Sequence, residues 1–120
     1  APRDFSPMQG EPSDRPDSFL PVLRLLRVDP SLGYTKGMRV YIVDDASFIR
    51  LICRYHLTNA GFEVVGEAWD GAVAEKEIQT LQPDCVIMDL ALPSKSGADV
   101  IRAVSENFAH IQFIVVSALD

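Results

Sequence analysis

Four consecutive apolar residues, Cys85-Val86-Ile87-Met88, run directly into Asp89, and this run constrains the fold more than any other stretch. A strand that is apolar at every position has both faces covered, which is the habit of a parallel sheet wrapped by helices. The strand ends at Asp89. Leu90-Ala91-Leu92-Pro93 follows, and a proline lacks the N–H that a central ladder needs. Asp89 therefore stands at a carboxyl end, the rim where open α/β sheets bind ligands. Arg39-Val40-Tyr41-Ile42-Val43 also runs into acids, Asp44 and Asp45, so two strands deliver three carboxylates to one place.

The rest of the pattern alternates helix and strand. Ile49, Ile52, Cys53, His56, Leu57 and Ala60 form a helical stripe from Ala46 to Ala60, and Gly61 is the stop. Phe62 to Ala68 reads as a second strand, with Glu63 and Glu67 giving it the charge of a sheet edge. Asp70-Gly71 opens a second helix with Ala74, Ile78 and Leu81 inward, ended by Pro83, while Glu75, Lys76 and Glu77 read as a solvated face. A third helix from Gly97 to Phe108 turns Val100, Ile101, Val104 and Phe108 inward, and a fourth strand, Gln112 to Val116, leads to Ser117-Ala118. A β-α-β-α-β-α-β series with short connections calls for a parallel sheet with right-handed crossovers.

The chain has 120 residues and a net charge of -6, which disfavours a nucleic-acid-binding surface. No apolar run approaches the ~18 residues that a membrane helix needs, so a cytoplasmic location is expected. Residues 1–16 hold four prolines and almost nothing to build a core, and they read as disordered or tag-like. Ser18 to Val28 reads as an amphipathic helix, with Phe19, Val22, Leu23, Leu25, Leu26 and Val28 apolar. The expected division is an extension over residues 1–37 and a domain over residues 38–120. Cys53 and Cys85 lie in apolar patterns without metal-ligand spacing and read as small core residues; His56 reads as a packed core side chain.

Clustered carboxylates repel one another, so such a cluster implies a bound cation or a raised pKa. Mg²⁺ takes oxygen ligands and keeps waters, and it would neutralise a phosphoryl group while a carboxylate attacks phosphorus in line. Asp89, on the central strand, is the best placed nucleophile, and the Ser117 hydroxyl is placed to donate to a phosphoryl oxygen. Taken singly, an Asp-Asp pair after a strand more often caps a helix, and Asp45 is placed to cap the helix beginning at Ala46. Three strand ends carrying Asp-Asp, Asp and Ser-Ala reverse that preference.

These residues resemble the receiver domain of bacterial two-component response regulators. The resemblance runs from Arg39 to Asp120 and is carried by Val43-Asp44-Asp45, Gly61-Phe62, Glu67-Ala68-Trp69-Asp70-Gly71, Met88-Asp89-Leu90-Ala91-Leu92-Pro93, Gly97 and Val116-Ser117-Ala118. It implies a flavodoxin-like, doubly wound sheet with strand order 2-1-3-4, to which the family adds a fifth strand. It implies Asp89 as phosphoacceptor and Asp45, Asp89 and the Ala91 carbonyl as Mg²⁺ ligands. Asp44 would hold metal-bound water, and Ser117 would be the switch hydroxyl. The family continues through a fourth helix, a fifth strand and a fifth helix, with an active-site lysine, so the chain reads as a receiver truncated after the fourth strand.

The expected partner is a sensor histidine kinase or phosphotransfer protein, with no membrane and no nucleic acid, and the chain is not expected to be an enzyme. A homodimer through an exposed fourth strand is also expected. The alternative is a phosphorylation-independent dimerisation or docking module. A haloacid-dehalogenase type of enzyme is disfavoured because Asp89-Leu90-Ala91 lacks the second acid of Asp-x-Asp.

Overall fold

A computed structural model describes residues 37–116. The helix expected over residues 18–28 and the Ser117-Ala118 pair lie outside the described residues. Seven elements alternate: β1 (Arg39–Val43), α1 (Ser47–Asn59), β2 (Glu63–Ala68), α2 (Gly71–Leu81), β3 (Cys85–Asp89), α3 (Gly97–Ser105) and β4 (Gln112–Val116). The four strands form one sheet in the order β2-β1-β3-β4. Every neighbouring pair is parallel, as crossover helices require. This is the flavodoxin-like arrangement, with β2 at an edge and β3 inside.

Successive strand residues point to opposite faces, and the sheet divides its core accordingly. On one face Val40, Ile42, Cys85, Ile87, Ile114 and Val116 pack with Cys53 and Leu57 of α1. On the other, Tyr41, Val43, Val86 and Met88 pack with Ala74 and Ile78 of α2 and Val100 and Val104 of α3. The four apolar residues of β3 thus serve both cores, two on each, and this is why the strand shows no alternation. Burying a side chain of the Val or Leu class contributes about 1.5–3 kcal/mol. The double-sided strand is therefore the most costly place to put a polar residue.

His56 is buried on the α1 stripe and meets Tyr55 edge to face at 5.3 Å. Cys53 and Cys85 are both buried free thiols in the α1-side core, and burial pushes each up to about 12. One alternative falls away and one expectation needs correction. The capping role weighed for Asp45 is not taken up: the helix begins at Ser47, its N-cap is Ala46, and no side chain caps it. Asp44 instead accepts from the Ala46 N–H at 2.9 Å, because an aspartate two residues back closes a tight local turn, and Asp45 is left exposed. Nor is the acidic stretch of α2 simply solvated. Glu75 pairs with the Lys95 ammonium and Glu77 accepts from the Tyr41 hydroxyl.

Candidate functional site at the carboxyl rim

β1 and β3 are neighbours, and Val43 stands opposite Met88 in their register, so the residues that follow leave the sheet side by side. Asp44, Asp45 and Asp89 each bring one carboxylate oxygen to within 4.8 Å of the others. Asp44 and Asp89 are each only 7% exposed, while Asp45 faces solvent. Val116 at the end of β4 lines the same small cavity as Asp44 and Asp89, which brings a third strand end beside the acids.

Two short loops hold these carboxylates. Asp44 Oδ1 accepts from the Ala46 N–H, and its backbone carbonyl accepts from Arg50 Nη1 at 2.7 Å. Asp89 Oδ1 accepts from the Ala91 N–H at 3.1 Å. Gly97 closes the second loop by donating its N–H to the Leu90 carbonyl at 2.9 Å. A Cβ at Gly97 would stand 2.6 Å from the Asp89 carbonyl oxygen, so a side chain here would displace the backbone that carries Asp89.

The electrostatics follow from burial. Withdrawal from water, with the charges of Asp89 and Asp45 adding to it and the Ala46 N–H and Arg50 opposing it, pushes the Asp44 carboxyl up to about 6. Burial also raises Asp89 above the ordinary carboxylate range, with Asp45 adding to the rise and the Ala91 N–H opposing it. Asp44 and Asp89 both resist ionising in this setting. A cation of charge two relieves both the desolvation and the repulsion, and an all-oxygen donor set suits a hard ion such as Mg²⁺.

The structure thus brings together Asp44, Asp45 and Asp89, with Ala91 on the loop that holds Asp89; Ser117 lies outside the described residues. Sequence reasoning did not find the pairing of Lys95 with Glu75, which turns the one lysine of the β3–α3 loop towards α2. It also missed the bond from the Ser94 hydroxyl to Asp70 Oδ1 at 3.0 Å. The available signal was the capping sequence Asp70-Gly71: Asp70 is the N-cap of α2, accepting from the Val73 N–H at 3.0 Å, and these bonds hold its carboxyl below the ordinary range.

Fold and rim together define a doubly wound α/β protein with an acidic, oxygen-lined pocket where β1 and β3 end. Residues 40–120 match the response regulator receiver domain family. The chemotaxis protein CheY of Thermotoga maritima is 41% identical over 83 residues, which are 69% of this chain and 69% of that protein. A protein-glutamate methylesterase/protein-glutamine glutaminase of Myxococcus xanthus is 40% identical over 82 residues, 68% of this chain but only 24% of that protein. Among solved structures, the CheX-CheY-BeF3-Mg²⁺ complex from Borrelia burgdorferi superposes with a TM-score of 0.67 at 26% identity, covering 76% of this chain and 68% of that one. The chain belongs to the response regulator receiver domain family of two-component and chemotaxis signalling.

Proposed function

We propose that this receiver takes a phosphoryl group on Asp89 from a sensor histidine kinase or phosphotransfer protein. The observation that carries the reading is the convergence of three carboxylates within 4.8 Å at the rim, with Asp89 on the inner strand. In the transfer, an Asp89 carboxylate oxygen forms a bond to phosphorus as the donor's N–P bond breaks, and the electron pair of that bond stays on the histidine nitrogen. The Ala91 N–H on Asp89 Oδ1 fixes the carboxylate, leaving its second oxygen as the nucleophile.

The carboxylates suit Mg²⁺; Asp45, Asp89 and the Ala91 carbonyl would hold it, and Asp44 would hold one of its waters. When bound, the ion neutralises phosphoryl oxygens. Ser117 acts as the switch hydroxyl. In this reading residues 38–120 form the receiver unit, residues 1–37 are an extension, and the protein works in the cytoplasm. Among the described residues no helix is long and apolar enough to cross a membrane.

The test is mass spectrometry after incubation with acetyl phosphate and Mg²⁺. An adduct of about 80 Da on wild type, absent from Asp89→Asn, is the expected outcome of an acyl phosphate at this carboxylate. No adduct on wild type, or an equal adduct on the variant, would overturn the assignment.

A further inference from the structure

The β3–α3 loop, residues 90–96, carries the group that orients Asp89, yet little of it is buried. Leu90, Ala91, Pro93 and Ser94 are exposed, and only Leu92 packs against the core, as a partly buried side chain. Apolar burial is therefore too small to fix its shape. What holds it is polar: bonds within the loop and from Gly97 to Leu90, and a set that comes from α2. Gly71 donates its N–H to the Pro93 carbonyl at 3.2 Å; the Ser94 hydroxyl donates to Asp70 Oδ1 and accepts from the Ala72 N–H at 3.3 Å. The Lys95 ammonium pairs with Glu75. Ser94 has φ of 62°, a left-handed conformation that an ordinary residue keeps only when its surroundings impose it. A Cβ at Gly71 would fall on the Lys95 carbonyl oxygen, so the approach is as close as backbone allows.

We propose that Ser94 and Lys95 are positioning residues. By fastening the loop to Asp70 and Glu75 they set the place of Ala91, whose N–H holds Asp89 Oδ1, and α2 thereby controls the aim of the Asp89 carboxylate. This rests on the reading of Asp89 as phosphoacceptor. It adds to that reading a dependence on a helix that supplies none of the three carboxylates. The bonds form a short continuous path: Glu75 to Lys95 and Asp70 to Ser94, along the loop to Ala91, and from Ala91 to the carboxylate.

The test uses the full chain as wild type, Lys95→Glu, Glu75→Lys and the exchanged pair Glu75→Lys/Lys95→Glu, with circular dichroism to confirm folding. Amide exchange at Gly71, Ala72 and Ala91 is followed by NMR without Mg²⁺, and Mg²⁺ affinity by calorimetry. Lys95→Glu is expected to speed exchange at Gly71 and Ala72 about tenfold and to weaken Mg²⁺ binding about threefold or more, with the exchanged pair recovering both. The sign is diagnostic. Replacing a cation by an anion near an acidic pocket would, by charge alone, tighten Mg²⁺ binding. Unchanged or tighter binding in Lys95→Glu, or no recovery in the exchanged pair, overturns the inference. Ser94→Gly accepts the left-handed φ and removes only the hydroxyl; it is expected to shift both readouts the same way by a smaller factor, and if Lys95→Glu fails to fold, this variant decides by the same criterion. Wild type that takes neither Mg²⁺ nor phosphoryl overturns the phosphoacceptor reading and this inference with it. Wild type that takes both, beside variants that match it, overturns the inference alone.

Discussion

The two loops that carry the acids are built in opposite ways. After β1, residues 44–46 are held mainly by their neighbours in sequence: Asp44 closes a turn on Ala46, and Arg50, one turn into the next helix, reaches back to the Asp44 carbonyl, while the Asp44 N–H donates to the Ala68 carbonyl at the end of β2. After β3, residues 90–96 depend on a helix that ended its own business in sequence before β3 began, through Gly71, Ser94 with Asp70, and Lys95 with Glu75. A self-held loop carries its geometry wherever its strand goes. A borrowed one is only as well placed as its lender, and it offers a handle by which a distant change reaches the carboxylate.

The largest expected effect tests the borrowing directly. Gly71→Ala puts a methyl on the Lys95 carbonyl oxygen, where backbone and not a flexible side chain must give way. Displacing packed backbone in this way destabilises by about 1–3 kcal/mol. Urea unfolding should show the loss, and Mg²⁺ titration should show weaker binding although no carboxylate has changed. If stability and binding both match wild type, the second loop does not depend on α2, and the contrast between the loops disappears.

The next effect belongs to the self-held loop. Asp44 is buried and its carboxyl is pushed up to about 6, against an ordinary value of 3.8. The folded protein thus binds a proton more tightly than the unfolded chain does. Stability from this group is fully present below the unfolded value, falls as pH rises through the folded one, and stays lower above it. Asp44→Asn keeps an oxygen for the Ala46 N–H and removes the charge. At pH 7 to 8 without Mg²⁺ it should stabilise the fold by about 1–2 kcal/mol, less than the full pKa difference implies because water reaches the rim. Denaturation between about pH 4 and 8, a range that covers both ionisations and the plateau above them, checks the slope; a variant less stable than wild type at pH 8 would show that the ionised Asp44 is not a burden on the fold.

What was legible in the sequence follows the same division. The convergence of Asp44, Asp45 and Asp89 was legible because each follows or ends an apolar strand, and local pattern alone locates a strand's end. The doubly covered β3 was legible for the same reason, and so was the cap at Asp70. Which of the two adjacent aspartates takes the Ala46 N–H is not legible in sequence, and only the turn geometry assigns it to Asp44. Glu75 and Glu77 read as a solvated face because nothing at helical spacing answers them; their partners, Lys95 and Tyr41, lie 20 and 36 residues away and arrive only when α2 packs on the sheet. Phe48, Leu51 and Tyr55 are large apolar residues exposed on the outer side of α1 at i, i+3, i+7 spacing, and the rule that apolar stripes face the core does not account for them.

A smaller effect concerns the cation. Since Mg²⁺ requires ionised carboxylates, its affinity should fall as pH drops through about 6, where Asp44 takes its proton. Calorimetry at pH 5 and pH 8, about one unit and two units to either side, should give weaker binding at the lower value in wild type and a flatter profile in Asp44→Asn. An equally steep profile in the variant would place the controlling proton elsewhere in the pocket.

The smallest expected effect sharpens the comparison. Arg50 bonds the Asp44 carbonyl and stands 3.5 Å from Glu67 of β2, and its charge opposes the rise of the Asp44 carboxyl. Arg50→Met keeps the stem packed and removes both interactions, so the stability loss should be about 1 kcal/mol, the size of one side-chain hydrogen bond with a partly exposed ion pair. With the guanidinium gone, Asp44 holds its proton to higher pH, and the pH at which Mg²⁺ affinity declines should move up. Because the first loop is held locally, amide exchange at Gly71, Ala72 and Ala91 should stay at the wild-type rate. Faster exchange there would mean that the two loops form one coupled unit across the pocket, and that the division between self-held and borrowed geometry is drawn in the wrong place.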